Sequence, residues 1–217
     1  MCGRFTQHLS WQQLVELYGL TGTPLNLEPR YNIAPTTQVL TVRADGKGRY
    51  ASTMRWGLIP AWWKAENKLP ATFNARSDGV ATKPMFRSAF KSRRCIVPAS
   101  GFYEWKTIDG KKQPFYVTRV DGQPLSFAGL WEARAVDGEE MLSCTIMTTD
   151  ANETMAPIHD RMPVVLGKYD LDAWLSGRGG EDLMKPCPAD WIETREVSTY
   201  VNSVKNQGEE CIAPASD

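Results

Sequence analysis

The chain has 217 residues, 42% of them hydrophobic, enough to fill the core of one large domain. No run approaches the roughly 18 to 20 apolar residues of a membrane-spanning helix, and the start MCGRFTQHLS lacks the apolar stretch of a signal peptide; a cytosolic protein, nucleoid-associated in a bacterium, is expected. Five scattered cysteines (Cys2, Cys95, Cys144, Cys187, Cys211) without a C-x-x-C pair suggest neither a disulfide framework nor a zinc site, so no metal or cofactor is expected.

The elements read in chain order as follows. Ser10 with Gln13 forms a capping box, and Leu14, Val15, Leu17 and Tyr18 supply an apolar face, which predicts a short helix over 11–19 ending at Gly19. Strands are predicted at 38–43, 50–56, 94–98, 101–106, 114–120, 125–131 and 142–148. The dipeptides Asp45-Gly46, Asp109-Gly110, Asp121-Gly122 and Asp137-Gly138 punctuate them as turns. Further helices are expected at 84–92, with Pro84 in the first helical position, and at 170–176, with Asp170 as cap. This succession predicts an α+β fold: a single domain, expected as a monomer, on a mostly antiparallel, barrel-like sheet with a few short helices. The core is expected over 1–176, followed by a loop-rich part, 177–217, whose last ten residues are expected to be mobile.

The formal net charge is zero, but the charges are unevenly distributed. From Arg43 to Arg119 there are 16 Lys or Arg against five acids, and the remaining segments carry 9 basic against 20 acidic residues. A basic central segment of this kind points to a polyanion such as nucleic acid.

Chemistry is suggested first by Cys2. Once Met1 is removed, Cys2 carries an α-amine and a thiol on adjacent carbons. The unperturbed groups titrate near pKa ~8 and ~8.5, so amine and thiolate are both expected near neutral pH. An aldehyde condenses with such an amine to an imine, and the thiol then closes a five-membered thiazolidine. Three polar clusters interrupt apolar sequence elsewhere: Asn74-Ala75-Arg76 after Phe73, Glu104 between Tyr103 and Trp105, and His159-Asp160-Arg161 before Met162-Pro163-Val164. A carboxyl between aromatics is a candidate for a raised pKa, whereas an outward-facing Glu on a strand is the plainer alternative. His159 is one of two histidines and, equally, reads as a structural imidazole.

Seven ordered segments, MCGRF (1–5), RYNIAPT (30–36), MRWGLIPAW (54–62), FNARSD (73–78), RCIVPASGFYEW (94–105), FAGLWE (127–132) and IHDRMPVVL (158–166), resemble the SRAP family. These are the SOS response-associated peptidases, or abasic-site processing proteins, and the resemblance extends to about residue 176. Position 78 is Asp where many members are expected to carry Glu. The resemblance implies binding of single-stranded DNA that contains an abasic site, and a thiazolidine crosslink between Cys2 and the opened sugar. It further implies that Asn74 holds the Cys2 end, that Glu104 is the general acid/base and that His159 promotes ring opening. Arg4, Arg76 and Arg161 are implied as phosphate ligands, Pro35 and Thr148 as groove-lining residues, and Trp63 and Trp105 as aromatic contacts to bases or sugars. Trp11, Trp56, Trp131, Trp174 and Trp191 are expected in the core. Two other readings remain open: an N-terminal-nucleophile amidohydrolase with Asn74 in an oxyanion hole, and a non-catalytic reader of modified DNA.

Overall fold

A computed structural model describes residues 2–64, 72–136 and 138–215. Its strands are β1 (Arg4–Gln7), β2 (Arg30–Ile33), β3 (Gln38–Asp45), β4 (Gly48–Trp56), β5 (Asn74–Arg76), β6 (Arg94–Ala99), β7 (Gly101–Ile108), β8 (Lys111–Arg119), β9 (Leu125–Val136), β10 (Glu139–Asp150), β11 (Arg161–Pro163) and β12 (Ile192–Glu196). Three short helices accompany them: α1 (Trp11–Tyr18), α2 (Arg87–Ser92) and α3 (Leu171–Leu175).

Local chemistry sets many of these boundaries. The α1 capping box is present, with Gln13 N donating to Ser10 Oγ (3.2 Å) and Ser10 N to Gln13 Oε1 (2.8 Å). Gly19 ends the helix at φ 61°, a left-handed conformation that costs glycine little. Between β7 and β8, Asp109 and Gly110 both take positive φ (48° and 76°), as a two-residue turn matching the strand twist requires. Of the last predicted turn, Gly138 is described (φ 86°), while Asp137 lies outside the described residues.

The strands form two sheets. The first runs β12-β8-β7-β1-β2 and is antiparallel throughout. In the second, β10-β4-β3-β6-β9 closes on itself because β9 also pairs with β10, so these five strands form a barrel. Closure removes the free edges that an open sheet would expose. The sheets are mostly antiparallel, as expected, with two parallel pairings: β10 runs parallel to β4 and to β5. Both lie on the same edge of β10, Trp56 opposite Cys144 and Asn74 opposite Ile146, so β5 resumes the line that β4 leaves at Trp56.

Phe5 of β1 links the two sheets, its ring edge-on to Trp56 (4.9 Å) and to Phe127 (6.1 Å). Trp56 and Trp174 are fully buried, and Trp11, Trp131 and Trp191 are half-buried against the core clusters, in line with the packing roles expected of them.

Three expectations are corrected. Pro84 does not open α2: residues 84–86 form turns and the helix starts at Arg87. Asp170 does not cap α3; its carboxylate accepts from Gly167 N (3.2 Å) and closes a 3-10 turn before the helix. Nor is the described part of the C-terminal segment loop alone. β12 pairs along β8, and two 3-10 turns, Thr199–Asn202 and Glu209–Ile212, bury Val201 and Cys211 against Tyr103 and Tyr116.

Candidate active site around Cys2

The register of β1 on β7 pairs Arg4 with Tyr103, so one antiparallel step further carries Glu104 alongside the start of the chain. Asn74 reaches the same place from β5, its Nδ2 donating to the Cys2 carbonyl at 2.8 Å. Its Oδ1 is buried and accepts no hydrogen bond among the described residues. A buried acceptor left open is costly, and here it offers a seat to an incoming N–H or hydroxyl.

Cys2 is fully buried, its Sγ 3.9 Å from Arg4 O. Burial, reinforced by the Glu104 carboxyl, pushes the thiol far above its ordinary range. This corrects the sequence expectation: the sulfur is a neutral thiol near pH 7 and needs a base at the moment it reacts. Glu104 itself is buried, and that burial raises its pKa, opposed in part by His159 nearby. Desolvation penalises the carboxylate form, so the group can hold a proton and give it up, as general acid/base work demands.

His159 precedes β11. Its Nδ1 accepts from Arg161 N (2.9 Å) and also lies 2.8 Å from Asp160 Oδ1. The two contacts exclude each other: accepting from Arg161 N needs a lone pair on Nδ1 and puts the neutral ring's proton on Nε2, whereas bonding Asp160 needs a proton on Nδ1. The Asp160 carboxylate is 83% exposed, so that contact adds little, and the backbone N–H of Arg161 favours the Nε2–H tautomer.

The expected DNA contacts divide into two sets. Arg76 is exposed at the end of β5, and Trp63 is half-buried against the more exposed Trp62 (5.6 Å between rings). Pro35 is half-buried in the turn after β2, where Thr36 takes φ 75° and donates its N–H to Trp56 O (2.7 Å). A β-branched residue at positive φ is strained, so the turn is held by its surroundings. Trp56 Nε1 in turn donates to Phe73 O (2.8 Å), directly before Asn74.

The second set is engaged by the protein itself. Arg161 is buried, with Nη1 on Asp150 Oδ1 (2.5 Å) and Nη2 on Asp78 Oδ1 (3.2 Å) and Thr148 O (2.9 Å). Thr148 lines no groove in this structure: it is fully buried because β10 is flanked there by β5 and β11. Arg4 donates to Asn32 Oδ1 (2.8 Å) and to the carbonyls of Val201 (2.9 Å) and Asn202 (3.4 Å), and stacks on Trp105 at 5.6 Å. Trp105 Nε1 donates to Asn202 Oδ1 (2.7 Å). Sequence reasoning passed over Asn32, Trp62 and Asn202. Only Trp62, as half of a Trp-Trp pair, left a sequence signal.

Among the described residues no cluster of three or more His, Cys, Asp or Glu could hold a metal ion. A cleft of about 790 Å³ opens between α1, the β8–β9 turn and residues 166–170, but none of the site residues lines it, so cavity size does not locate the chemistry.

The family profile described as SOS response associated peptidase (SRAP) matches residues 1–204. The chain belongs to the SRAP family. Among its SRAP relatives, the abasic site processing protein YoqW of Bacillus subtilis is 39% identical, over 98% of this chain and 99% of that protein. The abasic site processing protein YedK of Escherichia coli is 34% identical, over 99% and 100%. A crystal structure of a protein from Bacteroides thetaiotaomicron superposes with a TM-score of 0.89 at 24% identity, covering 99% of this chain and all of that one, a likeness of fold. The SRAP match runs past residue 176, consistent with the packed C-terminal part described above.

Proposed function

We propose that this chain processes abasic sites in single-stranded DNA by capturing the opened sugar on Cys2. The observation that carries the reading is the convergence of Asn74 on the Cys2 carbonyl with Glu104 buried beside it. The names of the relatives, abasic site processing proteins, support the substrate class.

The steps balance as follows. Glu104 takes the proton of the C1 hydroxyl and returns it to the ring oxygen as the C1–O bond breaks, while His159 Nε2–H hydrogen-bonds that oxygen. The Cys2 amine, free once Met1 is removed, adds to the aldehyde carbon, and loss of water leaves an imine. Sγ then bonds to the same carbon, its proton passing through Glu104 to the nitrogen. One water is released and no oxidant or reductant is needed.

Mass spectrometry after incubation with an abasic single strand tests this. The expected product has the mass of the protein without Met1 plus the oligonucleotide, less one water, and is stable to heat. Cys2→Ala and Cys2→Ser should both lose the heat-stable product, and so should a chain carrying a residue before Cys2 that cannot be removed. Full yield from Cys2→Ala would overturn the reading. The amidohydrolase alternative is less well supported because one of the two Asn74 Nδ2 hydrogens is taken by the Cys2 carbonyl, and the basic central segment is not needed for amide hydrolysis.

A further inference from the structure

Beyond Arg76, residues 79–103 contain five cations (Lys83, Arg87, Lys91, Arg93, Arg94) and no acid. Two of the five are engaged internally. Arg93 binds Glu132 (2.7 Å), and Arg94 donates to Phe90 O (2.9 Å) and Gly179 O while stacking on Phe90 and Trp174. The other three are exposed. Lys83 Nζ touches only Asp78 O, at 3.4 Å, and Arg87 and Lys91 make no side-chain hydrogen bond or ion pair among the described residues.

These three cations form a column. Arg87 N donates to Lys83 O (2.9 Å), and Lys91 follows four residues later in α2, so the three residues succeed one another on one side at a rise of about 6 Å each. Beside them lies an open hollow of about 710 Å³ walled by Arg87, Phe90, Lys91 and Arg94, with no carboxylate in its lining. The column starts next to the candidate site: Asp78 interacts with Arg76, Lys83 and Arg161 together, and its carboxylate is bonded to Arg161, not to the column.

We propose that Lys83, Arg87 and Lys91 form a second phosphate-binding track, which carries the DNA strand flanking the nucleotide held at Cys2. The inference rests on the proposed function and deepens it, adding the strand beyond Arg76 to the footprint. A membrane surface fits less well, because none of the large exposed apolar side chains lies between residues 76 and 94, and interfacial binding relies on such groups. Phosphates spaced along one strand match a column of free cations better than a single anion does.

The test uses the triple variant Lys83→Gln, Arg87→Gln, Lys91→Gln, with two abasic single strands: one ending near Arg76 and one extended well beyond it. Affinity is measured against salt for each, adduct yield is measured on the short strand, and the melting temperature is the control for folding. On the long strand the slope of log affinity against log salt should flatten by about 2, from three phosphates at ~0.7 each. On the short strand, slope and adduct yield should match the unsubstituted chain. An unchanged slope on the long strand overturns the track, as does an equal loss on both strands at an unchanged melting temperature. It is likewise overturned if the substitutions abolish binding to phosphatidylserine vesicles and leave the DNA slope intact. If the unsubstituted chain forms no adduct while the long-strand slope still flattens, the capture chemistry fails and the track stands.

Discussion

Glu104 joins stability to chemistry in a single side chain. Its folded pKa is raised by burial, so its proton is held more tightly in the folded chain than in the unfolded one. The stabilisation is complete below the ordinary value of 4.5 and declines as pH rises through the folded value. Glu104→Gln, which mimics the protonated form, should therefore melt higher than the unsubstituted protein at pH 7 to 8, with the difference shrinking as pH falls through the raised folded value toward about 4.5 and gone below it. Equal melting curves at pH 8 would show that burial does not penalise the carboxylate. The same substitution should slow both capture and release of a preformed adduct, since Gln cannot move a proton in either direction. His159→Ala should slow capture and leave release much less affected, because in the proposed reaction its Nε2–H serves ring opening, before sulfur closes the ring. Release assays on purified adduct separate the two, and the roles must be exchanged if release depends on His159 and not on Glu104. At this scale the sequence singled out Cys2, Asn74, Glu104 and His159 as unusual residues in apolar company, and the structure brings Asn74 and Glu104 to the Cys2 end. The sequence was silent on partners, which is why Arg4, Arg161 and Thr148 read as open to a ligand when folding engages or buries them.

Among the elements, those with local signals were legible: α1 through its capping box and β7–β8 through Asp109-Gly110. The short strands β1, β2, β5 and β12 carry too few residues for a period to show, and their hydrogen bonds come from partners distant in the sequence. The C-terminal segment was misread for the same reason, since its order comes from distant partners. Asn32, buried on β2, binds it through Nδ2 to the carbonyls of Val201 (3.3 Å), Ser203 (2.9 Å) and Asn206 (2.8 Å) and accepts from Arg4. Asn32→Ala strands these groups and should destabilise the fold by about 2–3 kcal/mol, read as a lower urea midpoint. It should also make residues 198–215 more open to proteolysis. A midpoint within error of the unsubstituted chain would mean that β12 alone holds the segment.

For the whole molecule, the closed barrel was anticipated from the regular spacing of strands and turns. Its closing pairs were not, because β4 and β5 meet β10 in parallel only after long excursions of the chain. The charge asymmetry was legible as composition, and folding exposes part of it: Arg76, Lys83, Arg87 and Lys91 stay free while Arg49, Arg93 and Arg119 are paired with acids. DNA affinity should accordingly fall with salt and favour single strands over intact duplex, where bases cannot reach Trp62 and Trp63. Arg76→Ala should flatten the salt slope by about 0.7 to 1. Arg161→Ala is a poorer probe, because it leaves Asp78 and Asp150 without their cation and removes the side chain that anchors the residue behind His159 Nδ1. Binding that ignores salt, or equal affinity for unbroken duplex, would count against a DNA-facing surface.

The hold of the C-terminal segment on Arg4 also has a consequence in time. β1 pairs with β7, and the Arg4 guanidinium rests on carbonyls of Val201 and Asn202, so the strand that carries Cys2 finds its last partners close to the end of the chain. Synthesis proceeds from the N-terminus, and a nascent chain that has not yet reached Val201 and Asn202 lacks the carbonyls that complete that anchorage. Cys2 is thus set in place only after residues about 200 positions further along have been made, and the proposed capture site is assembled no earlier than that.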